Sequence, residues 1–598
     1  MTAEAPTTAG GDPSAAARPA DPGVDRPEGW WRSAVVYQIY PRSFADSNGD
    51  GVGDIPGIVS KLDYLAELGV DVLWLSPVYA SPMDDNGYDI SDYTDVDPLF
   101  GTLADLDLLI AEAHRRGLKL VMDLVVNHTS DEHPWFVESR QPGSAKRDWY
   151  WWRPTRAGHE PGTPGAEPTN WGSYFSGSAW AFDEASGEYY LHLFSPKQPD
   201  LNWENPEVRE AVYAMMRWWV DRGVDGFRMD VINLISNPAE LVDAPVPPGK
   251  THATRGGLVA NGPRLEEFLV EMNREVGLDR HRLITVGEMP GSTVELARSV
   301  TDPAHGELNM VFTFEHVGLD SKPGGSKFEV AELDLVALKR NLEAWQLGLA
   351  EVGWNSLYWD NHDQPRAVSR FGDDSPEHRV SSAKTLATVQ HAHRGTPYVY
   401  QGEELGMTNT SFVDISSYQD IESVNYHSEA ISLGLEAETV MSGLAARSRD
   451  NARTPMHWDD THQAGFSQGI PWLPVNPNYV TINAAAAVAD PDSVFAHFRR
   501  LIALRHEQPA LVEGRFTLLL GDHPQIWAVT RTTADQALLM VANCSSTAVT
   551  VPDGSLPDAT GATLLLSTHG DRRGPDLAPW ESRLLLLPAP LRTGATAP

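Results

Sequence analysis

From Trp30 onward, short apolar stretches alternate with longer amphipathic ones, which is the pattern of a parallel sheet whose crossovers are helices. Strands are predicted at Ala34–Tyr40, Val72–Leu75, Lys119–Val126, Val224–Asp230, Leu283–Glu288, Met310–Phe314, Ser356–Trp359 and Thr396–Tyr400, with helices such as Ile58–Leu68 and Leu103–Arg116 between them. Eight such units predict an α/β fold, a (β/α)8 TIM barrel, and place any active site at the C-terminal strand ends. A long aromatic, Gly- and Pro-rich insert follows the third strand, and loops of that length are usually functional or a subdomain. After a helix over Asp492–Glu507 the pattern turns to short strands, including Phe516–Leu520, Ile526–Thr532, Ala537–Ala542 and Arg583–Leu587. The expected organisation is a disordered tail over 1–28, a barrel over 29–127 and 205–511, an inserted domain over 128–204, and a C-terminal β-sandwich over 512–598.

Charge narrows the partners. With 82 acidic against 46 basic residues, a formal charge of -36 repels nucleic acid and anionic membranes, although it also serves solubility alone. A neutral substrate fits this field. The single cysteine, Cys544, excludes an intramolecular disulfide framework and is expected as a buried small residue in a cytoplasmic protein. No apolar run reaches the ~20 residues of a membrane span.

Three carboxylates fall at the ends of three predicted strands. Arg228 and Asp230 are two apart and share one strand face, where a guanidinium favours an ionised carboxylate. Glu288 ends an apolar strand after Gly287, where confinement would keep it protonated as a general acid. Asn361-His362-Asp363 follows the seventh strand. Each alone also reads as structure, whether a buried ion pair or a helix cap. Together they form a costly cluster of like charge unless a reaction uses it.

Asp123-Leu124-Val125-Val126-Asn127-His128, Gly226 to Asp230, Gly287-Glu288 and Asn361-His362-Asp363 resemble, in order, the four signature regions of the α-amylase clan, glycoside hydrolase family 13. The resemblance spans nearly everything from Trp30 onward. It implies Asp230 as nucleophile, Glu288 as acid/base and Asp363 as transition-state stabiliser, with His128, Arg228 and His362 contacting the first sugar. Asp85-Asn86-Gly87-Tyr88 is similar to the segment that closes the pocket in exo-acting members, with Tyr88 stacking on glucose and Asp85 paired with Arg449. Gln198-Pro199-Asp200-Leu201-Asn202 and Gly287 to Gly291 resemble markers of the oligo-1,6-glucosidase subfamily, and Val231 resembles the residue found where α-1,6 bonds are cleaved.

The resemblance therefore implies a retaining, exo-acting α-glucosidase acting on short oligosaccharides, with isomaltose-type substrates preferred. Maltases, or broad α-glucosidases with transglycosylation, are the alternative. Trehalose-6-phosphate hydrolases and sucrose isomerases also carry the valine; for the former, Lys322 and Lys327 read as solvated charge. A non-enzymatic transporter heavy subunit would require a membrane span. Asp46-Ser47-Asn48-Gly49-Asp50-Gly51-Val52-Gly53-Asp54 offers oxygen donors at alternating positions but lacks a twelfth-position Glu, since Gly57 stands there. The family's comparable loop implies a structural Ca2+ or Mg2+ held by Asp46, Asn48, Asp50, Asp54 and the Val52 carbonyl. No organic cofactor is implied, and the oligomeric state is open. Among the aromatics of the insert, Trp149, Tyr150, Trp151, Trp152 and Phe194 are candidates to touch sugar, with packing the default.

Overall fold

The computed structural model describes residues 26–588 apart from 239, 248–249, 254–258 and 411. The expected tail up to residue 25 lies outside these residues. Arg26, near its end, is buried and ion-paired with Asp225.

Eight strands form one parallel sheet: β1 (Val36–Ile39), β2 (Val72–Leu75), β3 (Lys119–Val125), β4 (Gly226–Asp230), β5 (Ile284–Glu288), β6 (Met310–Phe312), β7 (Ser356–Leu357) and β8 (Thr396–Tyr400). Each lies beside its neighbours in sequence, β8 pairs with β1, and a parallel bridge between Val311 and Asn355 joins the two ends of the sheet. Alternate residues pack into different cores. Tyr37, Leu73, Met122 and Phe227 belong to one cluster, whereas Val36, Trp74, Val121, Ile284 and Val286 belong to another. Because side chains repeat every second residue, the parity of Val121 continues to Asp123, that of Gly226 to Arg228 and Asp230, and that of Ile284 to Glu288. The apolar pattern thus hands over to charge at one end of the barrel.

One predicted helix is two. Ile58–Leu68 is replaced by helices Ile55–Ser60 and Leu62–Leu68, because Asp54 accepts from Gly57 N as an N-cap and the backbone leaves the helical region at Lys61. The insert after β3 carries a three-stranded antiparallel sheet of Trp152–Arg153, Trp180–Asp183 and Glu188–Leu191. It packs against the segment after β4 through a Trp171–Ala253 bridge and a reciprocal pair of hydrogen bonds, Asn170 Nδ2 donating to the Ala244 carbonyl and Ala244 N–H to Asn170 Oδ1.

The C-terminal region is a five-stranded antiparallel sheet of β9 (Arg515–Leu519), β10 (Ile526–Thr532), β11 (Ala537–Asn543), β12 (Thr563–Ser567) and β13 (Ser582–Leu586). Val549–Thr550 pairs with Asp576–Leu577, and residues of this ribbon pack on Ile526, Ala528 and Val541. Trp527, Val529 and Met540 join the barrel-side cluster. Lys339 pins the seam, donating to the carbonyls of Leu520, His523 and Ile526 at 2.7–2.9 Å. Cys544 is half-buried there rather than fully buried, since it follows the end of β11.

Among the described residues, no helix is long and apolar enough to cross a membrane.

Candidate active site

The C-terminal strand ends surround a cavity of about 280 Å³, lined in part by Asp85, Tyr88, His128, Asp230, Val231, Glu288, Asp363 and Arg449. Arg228 lies beneath, fully buried, and its ion pairs organise the floor. Its Nη1 donates to Asp123 Oδ1 at 2.9 Å and to Asp230 Oδ1 at 2.5 Å, while Nη2 lies 2.6 Å from Glu288 Oε2. Three carboxyl groups from three adjacent strands therefore share one guanidinium.

Burial raises Asp230, and Arg228 opposes that shift directly. Glu288 rises to about 8, chiefly from burial and despite Arg228, with the charges of Asp230 and Asp363 adding to the rise. Glu288 thus holds its proton to higher pH than Asp230, which is raised to about 7 and ionises first. Asp363 goes the other way. Burial alone would raise it, but the guanidinium groups of Arg449 and Arg453 outweigh burial and hold it below the usual carboxylate range. Arg453 Nη2 donates to Asp363 Oδ1 at 2.8 Å, and Arg449 Nη1 donates to the same oxygen at 3.2 Å.

Both histidines are neutral. Burial lowers His128 to about 4 and His362 to about 3. Gln38 Nε2 lies 2.8 Å from His362 Nδ1, which must accept, so Nε2–H donates to Tyr88 Oη at 2.6 Å. Tyr88 Oη in turn donates to Asp123 at 3.1 Å, and its ring is parallel to His362 at 5.2 Å. His128 Nε2 lies 3.1 Å from the Tyr88 carbonyl.

Asp85 and Arg449 meet at 3.1 Å and wall one side of the cavity. Arg449 also donates to Asp420 Oδ1 through Nε and Nη2, at 2.8 and 2.6 Å, and lies 5.0 Å from the Phe175 ring. Gln198 explains part of its motif: its Nε2 reaches both Asp85 Oδ2 and His128 Nε2 at 3.2 Å.

Several residues of the site have no sequence signal. Tyr174, Phe175, Phe314, Gln364 and Glu422 line the cavity, and of the aromatics considered in the insert only Phe194 does. Trp149, Tyr150, Trp151 and Trp152 are buried in packing. Lys327 is not simply solvated charge; it lines the cavity and forms an ion pair with Glu422, delivered there by a loop with no apolar period. Arg453 did carry a signal, being four residues from Arg449 across the short helix Asp450–Arg453.

Away from the cavity, Asp46 accepts from the N–H groups of Asn48, Gly49 and Gly51, Asn48 accepts from Asp50 N, and Asp50 from Val52 N. Asp54 accepts from Ser47 and Gly57. Burial would raise Asp46, but hydrogen bonds from Ser467, Gly51, Gly49 and Asn48 bring it below its ordinary range. Among the described residues, no three His, Cys, Asp or Glu side chains converge as a ready metal-binding group.

The family model described as Alpha amylase, catalytic domain, matches residues 38–514. This chain is a glycoside hydrolase of the α-amylase family. It is 54% identical over 563 residues to an oligo-1,6-glucosidase of Halalkalibacterium halodurans, covering 93% of this chain and 99% of that protein. To a trehalose-6-phosphate hydrolase of Bacillus subtilis it is 49% identical over 568 residues, covering 94% and 99%. The crystal structure of a trehalose-6-phosphate hydrolase from Bacillus licheniformis superposes with a TM-score of 0.86 at 46% identity, covering 93% of this chain and 99% of that one.

Proposed function

We propose that this enzyme is a retaining, exo-acting α-glucosidase that releases terminal glucose from short α-glucosides and prefers the α-1,6 linkage. The observation that carries the mechanism is Arg228 holding Asp230 and Glu288 on one guanidinium. Such proximity suits carboxyl groups ~5 Å apart rather than the ~6.5–9.5 Å that admits an attacking water. Asp230 attacks the anomeric carbon while Glu288 gives its proton to the departing oxygen. Glu288 then deprotonates water, whose oxygen displaces Asp230 and frees glucose. Asp363, kept charged by Arg449 and Arg453, stabilises the cationic transition states.

End-cleavage is supported by the Asp85–Arg449 wall and by a cavity of about 280 Å³, near the lower end of small-ligand pockets at ~300 Å³. The linkage preference rests on Val231 and on likeness to relatives named oligo-1,6-glucosidases. Lys327 offers a phosphate some attraction, yet it is paired with Glu422 in a cavity also lined by Asp85, Asp230, Glu288 and Asp363, which repel a dianion. Measuring kcat/KM on isomaltose, maltose, sucrose, trehalose, phosphorylated trehalose and soluble starch tests the reading. Isomaltose should lead. A lead for maltose or phosphorylated trehalose overturns the substrate assignment, and equal turnover of starch overturns the closed pocket.

The turn from Asp46 to Asp54 is proposed to hold Ca2+ or Mg2+ as a stabiliser. Its side-chain donors and the Val52 carbonyl are all oxygen, the chemistry such ions select. The free thiol of Cys544 suits the reducing cytoplasm.

A further inference from the structure

Val231, directly after Asp230, has φ 36° and ψ 40°, the left-handed region that a β-branched side chain rarely enters. The surroundings enforce it. Its carbonyl accepts from Leu234 N at 2.9 Å, and Ile232 packs so closely on the next strand that a Cβ on Gly287 would lie 3.0 Å from its Cγ2. The consequence is directional: Val231 N–H donates to Glu288 Oε2 at 3.1 Å.

Two residues on, Asn233 is fully buried and makes a second link to the Glu288 segment. Its Nδ2 donates to the Pro290 carbonyl at 2.8 Å and to Asn261 Oδ1 at 2.7 Å. Asn261 continues the brace, donating through Nδ2 to the Gly291 carbonyl at 3.1 Å and through its backbone N–H to Asn233 O at 2.9 Å. The turn that leaves the nucleophile strand is therefore tied at both ends to the segment carrying the acid. None of these side-chain amides lines the cavity, so sugar binding does not explain them.

We infer that Asn233, seconded by Asn261, is a positioning residue that sets the Glu288 carboxyl group against Asp230 and the departing oxygen. This rests on the reading of Glu288 as acid/base. Its chemical signature is leaving-group dependence: an acid out of place harms departure of a sugar alkoxide, which needs a proton, far more than departure of fluoride.

The test compares kcat/KM of N233A and the wild type on isomaltose and on α-glucosyl fluoride. The expected result is a loss of about 10- to 100-fold on isomaltose against less than about three-fold on the fluoride, with the alkaline limb of the isomaltose pH profile displaced. Equal loss on both substrates, or no loss on either, overturns the inference. If N233A does not fold, N261A decides, because Asn261 is only half-buried: the same split at smaller amplitude supports the brace, and its absence overturns it. E288Q separates the underlying reading, since full activity of that variant on isomaltose refutes the acid assignment whatever N233A does.

Discussion

Arg228 Nη2 lies 2.6 Å from Glu288 Oε2, so a permanent cation touches the carboxyl group and still does not bring it into the ordinary carboxylate range. Burial and the neighbouring carboxylates outweigh the contact. The same guanidinium serves Asp230, which has direct hydrogen bonding from it. One cation thus contacts both groups, and burial still leaves Asp230 at about 7 and Glu288 at about 8, so Glu288 is the later of the two to lose its proton.

The pH profile follows. On the proposed mechanism activity needs Glu288 protonated and Asp230 ionised, so kcat/KM should fall on an alkaline limb near pH 8. The acid limb should stand above ordinary carboxylate values, because Asp230 is raised. These limbs belong to the interacting pair. An alkaline limb still present in E288Q would assign it to another group.

Stability carries the opposite sign. Glu288 stands at about 8 in the folded enzyme against 4.5 in an ordinary setting, so its stabilising share is complete below about 4.5 and is lost as pH rises toward about 8. Above that, the wild type bears the full cost of a buried charge. E288Q should therefore gain Tm relative to the wild type across this window and hold a constant advantage above it. A gain that does not vary with pH would contradict the linkage.

Replacing Arg449 by Lys should cost more than a charge-conserving change suggests. Asp363 is met by its Nη1, Asp85 by its Nη2, and Asp420 by both Nε and Nη2, a fan of contacts that an ammonium cannot reproduce. We expect R449K to lose about 100-fold or more in kcat/KM, roughly 3 kcal/mol of transition-state stabilisation. Near-normal kinetics would remove the Asp85–Arg449 wall from the account of end-cleavage.

Lys339 is buried against three carbonyls of the C-terminal region, so K339M leaves acceptors without a donor. A loss of about 1–3 kcal/mol in unfolding free energy is expected, with kcat/KM of the folded variant unchanged. Urea unfolding gives the first quantity. An unchanged midpoint would show that the seam does not depend on this ammonium.

For the turn at Asp46–Asp54, removal of divalent ions by chelation should lower Tm, and Ca2+ or Mg2+ should restore it in the wild type but not in D50N. Insensitivity of the wild type to chelator and ion would dispose of the proposal.

Much of this architecture lies within single segments. Strands Val72–Leu75, Thr396–Tyr400 and Ile526–Thr532 match the bounds expected from their apolar runs. Asp230 and Glu288 could be read because each ends an apolar strand whose period of two dictates which residues share a face, and Asp363 because its polar turn follows the short strand Ser356–Leu357. The break at Lys61 was hidden because Ile58, Leu62 and Leu65 keep one apolar face across it.

The cavity wall was decided by tertiary structure alone. Lys327 meets Glu422 across 95 positions, and Arg449 meets Asp85 across 364. Tyr174, Phe175 and Phe194 arrive on irregular loops, whose side chains follow no repeat that fixes a direction. Periodicity speaks for residues that neighbour one another along a helix or strand. Which distant loops close over the strand ends, and therefore how Glu288 is confined enough to keep its proton, depends on the packing of the whole barrel and its insert.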